Sequence, residues 1–306
     1  MTDTPTTPWP TLPDGRMLVL RTCDAQMRSE HTPSFVWPTS GPVEAPDWDP
    51  DPDRDCGGGL HGLLWGCGNA WMLSSSSTSR WLVVAVDPAD IANPDAPGKV
   101  RFRAGEVVLV TTRAEAVAHL EANGAALLPT VYGASTSGDR GTSTSGYRGR
   151  STSGNGGTSI SGDRGTSTSG NGGASTSGDH GTSTSGDHGR SISGYGGASI
   201  SGDYGRSTSG DGGTSISGDD GTSTSGNGGR STSGNGGRST SGDGGTSTSG
   251  NGGRSTSGDR GIVVVGWWDG KAARMRLTVG YVGEDGIEAN TTYRCSASGV
   301  LEAVRS

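Results

Sequence analysis

Three side chains in the first quarter of the chain are of the types that bind zinc. Cys56, His61 and Cys67 lie close together in the sequence, and Cys23 would serve as a fourth ligand. Zinc ribbons and knuckles usually contain two Cys separated by two to four residues. In the pattern C-x4-H-x5-C the two Cys are farther apart, which is not a familiar knuckle, so it favours reduced, packed thiols over a metal site. His61 also suits a catalytic role in its Gly-Leu-His-Gly segment, but no carboxylate partner occurs at a recognisable spacing.

A second group of candidate ligands recurs at a constant interval. Asp187, Asp203 and Asp219 are 16 residues apart, so in coils of that length they would stack ~4.8 Å apart. Like charges at this distance repel, and calcium between coils would relieve the repulsion. Calcium-binding rolls, however, have a nine-residue period and a large apolar residue in each repeat. Solvated carboxylates near arginines are the alternative, and we expect no metal or other cofactor.

Threonine hydroxyls form the third group, and their chemistry is to hold water molecules in fixed positions. In a Thr-Ser-Thr triplet the two Thr share one side of a strand. We expect their hydroxyls about 7 Å apart along the strand and ~4.8 Å apart between coils, a spacing that templates a water lattice on a flat face. The candidate residues are Thr142, Thr144, Thr166, Thr168, Thr182, Thr184, Thr222, Thr224, Thr246 and Thr248.

These threonines belong to sixteen uninterrupted octapeptides that fill residues 134–261. The unit is x-Ser-[Thr/Ile]-Ser-Gly-[Asp/Asn/Tyr]-x-Gly, and we number its positions slots one to eight. Slot one holds six arginines, which a thin core cannot accept, so slots one and three should point outward and both serines inward. These arginines are Arg150, Arg190, Arg206, Arg230, Arg238 and Arg254.

The second half of each octapeptide predicts a turn, because Gly, Asp and Asn tolerate left-handed backbone conformations. Two units then make a 16-residue coil, and the array makes a β-solenoid of eight coils. His180 and His188, in slot seven of neighbouring units, should be solvated on opposite edges. A flexible Gly/Ser/Thr linker is the alternative, because the array has no aliphatic core.

The N-terminal flank predicts a loose tail over residues 1–15 and a small α+β domain over 16–133. Strands are indicated at 17–23 and 80–87, and 99–103 with 106–110 resembles a hairpin. A helix is predicted over 111–124, where Thr112 and Glu115 form a capping box.

The C-terminal flank, 262–306, predicts a β cap on the solenoid. Residues 262–282 form a hairpin that turns at Asp269-Gly270, and 291–295 pairs with 300–304. Exposed strand ends of a solenoid require such caps. The fold class is therefore mainly β, with a capped octapeptide solenoid.

Composition excludes some function classes. The net charge is −7, and the array holds ten Asp and ten Arg, so the acidic excess belongs to the flanks and argues against nucleic-acid binding. No apolar run approaches the ~20 residues of a membrane span, so no membrane partner is expected. The N-terminus has no signal-peptide pattern, which predicts a cytoplasmic protein with reduced thiols.

Two segments of the array, SGDRGTST (161–168) and SGYGGASI (193–200), share features with a known repeat. They resemble the octapeptide A-G-Y-G-S-T-x-T of bacterial ice-nucleation proteins, in the second-place Gly and, for the first segment, the final Thr-x-Thr. The resemblance covers 134–261 and implies a stacked β-solenoid whose outward threonines order water. The array is far shorter than in that family, and Arg and Ala interrupt its slot-one rows.

The flanks carry a second resemblance, on CGGGLHGLLWG (56–66), RWLVVAVD (80–87) and GKVRF (98–102). They are similar to a bacterial and phage domain of unknown function that often brackets short tandem arrays. This similarity implies no chemistry.

The sequence therefore favours a non-enzymatic repeat protein that binds ice or orders water weakly through outward threonines. One alternative is a spacer that joins two halves of a split domain, and another is an enzyme or toxin displayed on a repeat stalk. The expected partner is ice or ordered water, and self-association through the repeats is compatible with the pattern.

Overall fold

The computed structural model describes residues 9–29, 34–54, 57–74, 76–94 and 98–304. The chain divides into two compact units, Met1–Ala134 and Ser135–Ser306. Most of the predicted loose tail lies outside the described residues. In the described part of the chain, no helix is long and apolar enough to cross a bilayer.

Six strands form the sheet of the N-terminal unit, in the order β2-β6-β4-β1-β3-β5. Their bounds are β1 Met17–Cys23, β2 Gly41–Glu44, β3 Leu60–Leu64, β4 Arg80–Val86, β5 Val100–Phe102 and β6 Ala104–Thr111. All neighbouring strands in this sheet are antiparallel. Short 3-10 helices span Ala70–Met72, Pro88–Asp90 and Ala125–Leu127.

The predicted hairpin of 99–103 with 106–110 is wrong. Strand β5 pairs with β3, whereas β6 pairs with β4 and β2. Only Arg103 separates the two strands, so the sheet must curl until its β5 edge approaches the start of β6. One residue is too short for a hairpin loop, which needs at least two.

The curled sheet encloses a hydrocarbon core, and one helix packs on it. Leu18, Leu82, Val83 and Phe102 are fully buried. The predicted helix is confirmed as α1, Arg113–Ala122, with Thr112 as N-cap and the capping box to Glu115 in place. Burial of its apolar face against β4 and β6 anchors it, because so short a helix is marginal on its own.

Sixteen short strands, one per octapeptide, make up the solenoid. Their bounds are β7 Ala134–Thr136, β8 Thr142–Ser145, β9 Arg150–Thr152, β10 Thr158–Ser161, β11 Thr166–Thr168, β12 Ala174–Ser177, β13 Thr182–Thr184, β14 Arg190–Ser193, β15 Ala198–Ile200, β16 Arg206–Ser209, β17 Thr214–Ile216, β18 Thr222–Ser225, β19 Arg230–Ser233, β20 Arg238–Ser241, β21 Thr246–Ser249 and β22 Arg254–Ser257. Odd-numbered strands form one parallel sheet and even-numbered strands the other. The predicted 16-residue coil is confirmed, because each strand pairs in register with the strand 16 residues later.

Invariant glycines permit the close stacking of coils. A Cβ on Gly202, in slot five, would lie 2.1 Å from Asp187 Oδ1 of the preceding coil, and one on Gly213, in slot eight, 2.8 Å from the carbonyl oxygen of Gly197 of the preceding coil. Any side chain at these two slots would therefore force neighbouring coils apart.

The C-terminal segment continues both sheets. Strand β23, Ile262–Asp269, pairs in parallel with β21, and β24, Arg274–Tyr281, folds back on β23. Strand β25, Thr292–Cys295, joins the even sheet antiparallel to β22, and β26, Leu301–Ala303, pairs with β25. Both predicted hairpins exist, but the first has a four-residue loop, 270–273, rather than a tight Asp-Gly turn.

Candidate functional site: the two threonine faces of the solenoid

The solenoid presents slots one and three to solvent and its serines to the interior, as predicted. From Ser143 to Ser257, every serine of slots two and four is at most 5% exposed. The residues of slots one and three are half-buried or exposed in every unit. The outward threonines and arginines are therefore available to water on two faces, which we call the odd face and the even face after their strands.

Serine hydroxyls hold the two sheets together across the interior. Ser159 Oγ lies 2.9 Å from Ser153 Oγ and donates to the carbonyl of Thr168 at 2.6 Å. The same pair of contacts recurs in most units, for example at Ser175. Since a hydroxyl both donates and accepts, serines of facing strands satisfy one another inside the coil. The exceptions among the described residues are Ser135 and Ser137 of the first unit, whose hydroxyls have no partner.

Asp and Asn side chains in slot six tie each coil to the next. Asp187 Oδ1 accepts the backbone N–H of Asp203 at 3.0 Å, and Asp203 Oδ1 accepts that of Asp219 at 2.8 Å. Twelve coil-to-coil steps have this bond. The steps that start at Tyr147 and Tyr195 lack it, because a tyrosine places no amide or carboxylate oxygen there.

We call this series of slot-six hydrogen bonds between coils the coil-to-coil ladder. It gives Asp187, Asp203 and Asp219 a structural role that the sequence did not predict. Calcium and simple solvation were the two explanations considered for Asp187, Asp203 and Asp219, and both left out the amide of the next coil. A carboxylate that accepts an N–H is stabilised against its neighbours' negative charge. Among the described residues, no cluster of three or more His, Cys, Asp or Glu is arranged to hold a metal ion.

The odd face carries six of the ten candidate threonines. Thr166 and Thr168 on β11 pair in register with Thr182 and Thr184 on β13, so these four form one contiguous patch. Arg150 lies beside Thr166 on the next strand. The other two candidates, Thr246 and Thr248, adjoin the end strand β23.

The even face carries the remaining four candidates in two separate pairs. Thr142 and Thr144 lie on β8, at one end of the described sheet. Thr222 and Thr224 lie on β18, where Thr222 has an arginine on each side, Arg206 and Arg238. The structure therefore does not bring the ten candidate threonines into one surface.

A row of threonines in slot three was overlooked because only slot one was traced from coil to coil. On the even face, Thr208, Thr224, Thr240 and Thr256 follow one another in register. Thr256 Oγ1 then lies 2.8 Å from Thr292 Oγ1 of the C-terminal hairpin. Reading the array at a period of 16 for slot three alone would have found this uninterrupted row.

Arginines divide the slot-one rows, as expected from the sequence, and do so unequally. The even face has four and the odd face two. Arg190 pairs with Arg206, and Arg238 with Arg254, so like charges are adjacent on the even face. Within the described residues, none of the six forms an ion pair. Their long, hydrated side chains interrupt the hydroxyl pattern of this face most strongly.

The histidines of the array lie on opposite edges, as predicted, but they are not merely solvated. The ring of His180 contacts that of Tyr195 edge-on, with centroids 5.6 Å apart. His188 stacks on Tyr204 at 5.1 Å. Both contacts join adjacent coils on their outer edges.

The cysteine and histidine cluster of the N-terminal unit does not have the character of a zinc site. Cys56 lies outside the described residues. Burial raises the pKa of Cys67 to about 12, and its Sγ donates to the carbonyl of Trp65. A zinc ligand must be a thiolate, which this environment disfavours. His61 is described below with the cavity that it lines.

Curated relatives were found for about a third of the chain, and all of those compared are named ice nucleation protein. One from Pseudomonas syringae is 43% identical over 101 residues. One from Xanthomonas campestris pv. translucens is 34% identical over 108 residues, and ice nucleation protein InaU of Pantoea ananas is 35% identical over 104. These spans are shorter than the 128-residue array.

These matches cover only a part of this chain and a smaller part of each relative. They cover 33–35% of this chain and 7–10% of the relatives' own length. No family model and no solved structure matches the chain, so the resemblance of the flanks stays a prediction. The solenoid is thus an octapeptide repeat fold of ice-nucleation-like character.

Proposed function

We propose that this protein orders water or binds ice weakly through the outward threonines of its solenoid, and that it has no catalytic role. The observation that carries the proposal is the in-register patch of Thr166, Thr168, Thr182 and Thr184 on the odd face. The curated relatives, named for ice nucleation, support the same activity.

The proposed weakness follows from the size of the hydroxyl patches. Hydroxyls about 7 Å apart along a strand and ~4.8 Å apart between strands repeat at distances that a water lattice can adopt. An ice surface is stabilised only when many such positions are uninterrupted, and here the largest block with both slots occupied by Thr spans two strands. Slight shaping of ice crystals is therefore expected, rather than potent nucleation.

A charge-matched pair of variants tests the role of the faces. In the first, the four even-face arginines become threonine: Arg190, Arg206, Arg238 and Arg254. In the control, the four slot-seven arginines Arg140, Arg148, Arg164 and Arg260 become glycine, the residue that occupies this slot in half of the units. Both variants lose four positive charges, but only the first changes a face.

Ice-crystal habit and droplet freezing temperature are the measurements. The face variant should shape ice more strongly than the natural chain, and the edge variant should match the natural chain. If the natural chain and the face variant both leave ice growth and freezing unchanged, the proposal is wrong.

Among the described residues, no strand pairing favours the spacer hypothesis. Strands β23 and β25 of the C-terminal flank bond to array strands, and the described sheet of the N-terminal unit consists only of its own strands. These pairings do not join the two flanks as halves of one sheet.

A further inference from the structure

A cavity of about 440 Å³ opens in the N-terminal unit, and all of its lining residues belong to that unit. Strands β1 and β3 supply one side, with Arg21, Leu60 and His61. Phe35 and Trp37 supply an aromatic side, where their ring centroids are 5.4 Å apart and edge-on. The volume falls in the range typical of small-molecule sites. We call this space the Trp37 cavity.

Among the described residues that line the Trp37 cavity, two are cationic and one is a carboxylate. Arg21 lies with its guanidinium carbon 4.5 Å from the centre of the Trp37 ring. Its Nη1 donates to the carbonyl of His61 and its Nη2 to Ser29 Oγ, so the guanidinium is held in place. Lys99 also lines the cavity, and Asp47 is the carboxylate on its wall. Arg21 and Lys99 bring two positive charges to the described lining and Asp47 brings one negative charge. This excess of positive charge favours an anionic occupant.

The imidazole of His61 adds no charge to the cavity at neutral pH. Burial is the main cause that lowers the pKa of His61 to about 4, with contributions from the positive charges of Lys99, Arg21 and Arg101 and an opposing effect of Asp47. His61 is therefore neutral at pH 7. The cavity keeps Arg21 and Lys99 as its cations, beside a neutral ring.

Two buried ring nitrogens on this wall have no hydrogen-bond partner among the described residues. They are Trp37 Nε1 and His61 Nε2. Trp37 is 2% exposed, so water does not compensate its indole N–H. Buried polar atoms in folded proteins are nearly always paired, and an unpaired one costs on the order of 1–3 kcal/mol. Both residues line the cavity, so this wall carries unused hydrogen-bonding capacity.

We propose that the Trp37 cavity binds a small anion that carries a planar aromatic ring. The ring would pack against Phe35 on the aromatic side of the cavity, and the anionic group would lie near Lys99 and Arg21. Phosphate and carboxylate share this chemistry, so a nucleoside monophosphate and an aromatic carboxylate are both candidates. This binding is independent of the threonine faces.

Calorimetric titration of the full chain tests the proposal with four probes. Adenosine 5′-monophosphate and indole-3-acetate each combine a ring with an anion, whereas adenosine has only the ring and inorganic phosphate only the charge. At least one of the first two should bind at least tenfold more tightly than adenosine and phosphate. Which of the two binds decides between a phosphate and a carboxylate ligand.

Two lysine variants give a matched control, since the chain has only Lys99 and Lys271. Lys99→Gln should weaken binding about tenfold, and Lys271→Gln, in the other compact unit, should leave it unchanged. Circular dichroism confirms that both variants are folded. If Lys99→Gln does not fold, the salt dependence of binding to the natural chain replaces it, and affinity should fall as salt rises. Failure of both ring anions to bind at millimolar concentration would overturn the proposal, as would equal effects of the two lysine variants.

Discussion

The N-terminal unit packs Leu18, Val83 and Phe102 into a hydrocarbon interior, whereas the solenoid fills its interior with serine hydroxyls. In the first, stability comes from apolar surface removed from water, roughly 25 cal/mol per Å². In the second it comes from many bonds of about 1 kcal/mol each, repeated in every coil. One chain thus contains a unit stabilised mainly by apolar burial and a unit stabilised mainly by repeated hydrogen bonds.

The two interiors also differ in how far the effect of a single substitution extends. Each core residue of the N-terminal unit has a unique set of neighbours, so one substitution affects the whole unit. Each octapeptide inside the solenoid contacts mainly the units one and two places away along the chain, and the stability of the array approximates a sum over repeats. Changes in the solenoid should therefore be local and small unless they break the period.

Deleting part of a repeat should give the largest effect in the solenoid. Odd and even units make the same serine contacts, for example at Ser159 and Ser167. Removal of residues 166–173, one whole unit, should leave a folded protein with an unchanged strand signal in circular dichroism. Removal of 166–169 puts a turn where a strand is needed, and it should cause unfolding or aggregation. Equal tolerance of both deletions would contradict the repeat-sum description.

Phe102→Ala should destabilise the N-terminal unit strongly. Phe102 is fully buried, and truncation of such a side chain costs about 3–5 kcal/mol through lost burial and a cavity. Ile200→Ala is the matched change in the solenoid, where the side chain is 38% exposed, and it should cost under ~1 kcal/mol. Denaturant unfolding followed by tryptophan fluorescence and circular dichroism separates the two units. A similar loss of unfolding free energy in both variants would contradict the proposed difference between the two interiors.

Acid should weaken the N-terminal unit through His61. The folded unit keeps the pKa of His61 near 4, and the ordinary value is 6.5. Between these two pH values the unfolded chain takes up a proton that the folded unit refuses, so the free energy of unfolding falls as pH drops from about 6.5 to 4. Thermal melts across this range should show the slope, and His61→Gln should reduce it. An unchanged slope in His61→Gln would assign the effect to other groups.

The coil-to-coil ladder should give the smallest of the four effects. Asp203→Ala removes the acceptor for the Asp219 N–H, and it should lower the free energy of unfolding by ~1 kcal/mol. Asp203→Asn keeps an Oδ1 acceptor and should stay near the natural value. Tyr195→Asn should add a bond to the Asp211 N–H and raise stability slightly. Melting temperatures of the three variants test this order, and an equal loss in Asp203→Ala and Asp203→Asn would show that charge matters instead.

The sequence predicted the solenoid because every clue to it is local and repeated. Six arginines in slot one indicate that slots one and three point outward. The serines of slots two and four must then point inward. The helix was predictable for the same reason, since the Thr112–Glu115 capping box is formed within one turn.

Features that depend on distant contacts were not predictable. The pairing of β5 with β3 is decided by the curl of a whole sheet. The bond from Asp203 Oδ1 to the Asp219 N–H depends on the orientation of the side chain and of the amide within two successive turns, which the period does not specify. The Trp37 cavity joins segments far apart in the chain, and single-sequence patterns do not specify such distances.

The serine interior has a consequence for heat capacity. Exposing apolar surface on unfolding raises the heat capacity by about 0.45 cal/K/mol per Å², whereas exposing polar surface lowers it by about 0.26. A solenoid whose interior is hydroxyl and backbone therefore unfolds with a smaller heat-capacity change per residue than a hydrocarbon-cored unit. Its stability curve is flatter, and cooling removes less of its stability. The repeat should thus keep its shape near the freezing point of water, where the apolar unit that accompanies it begins to weaken.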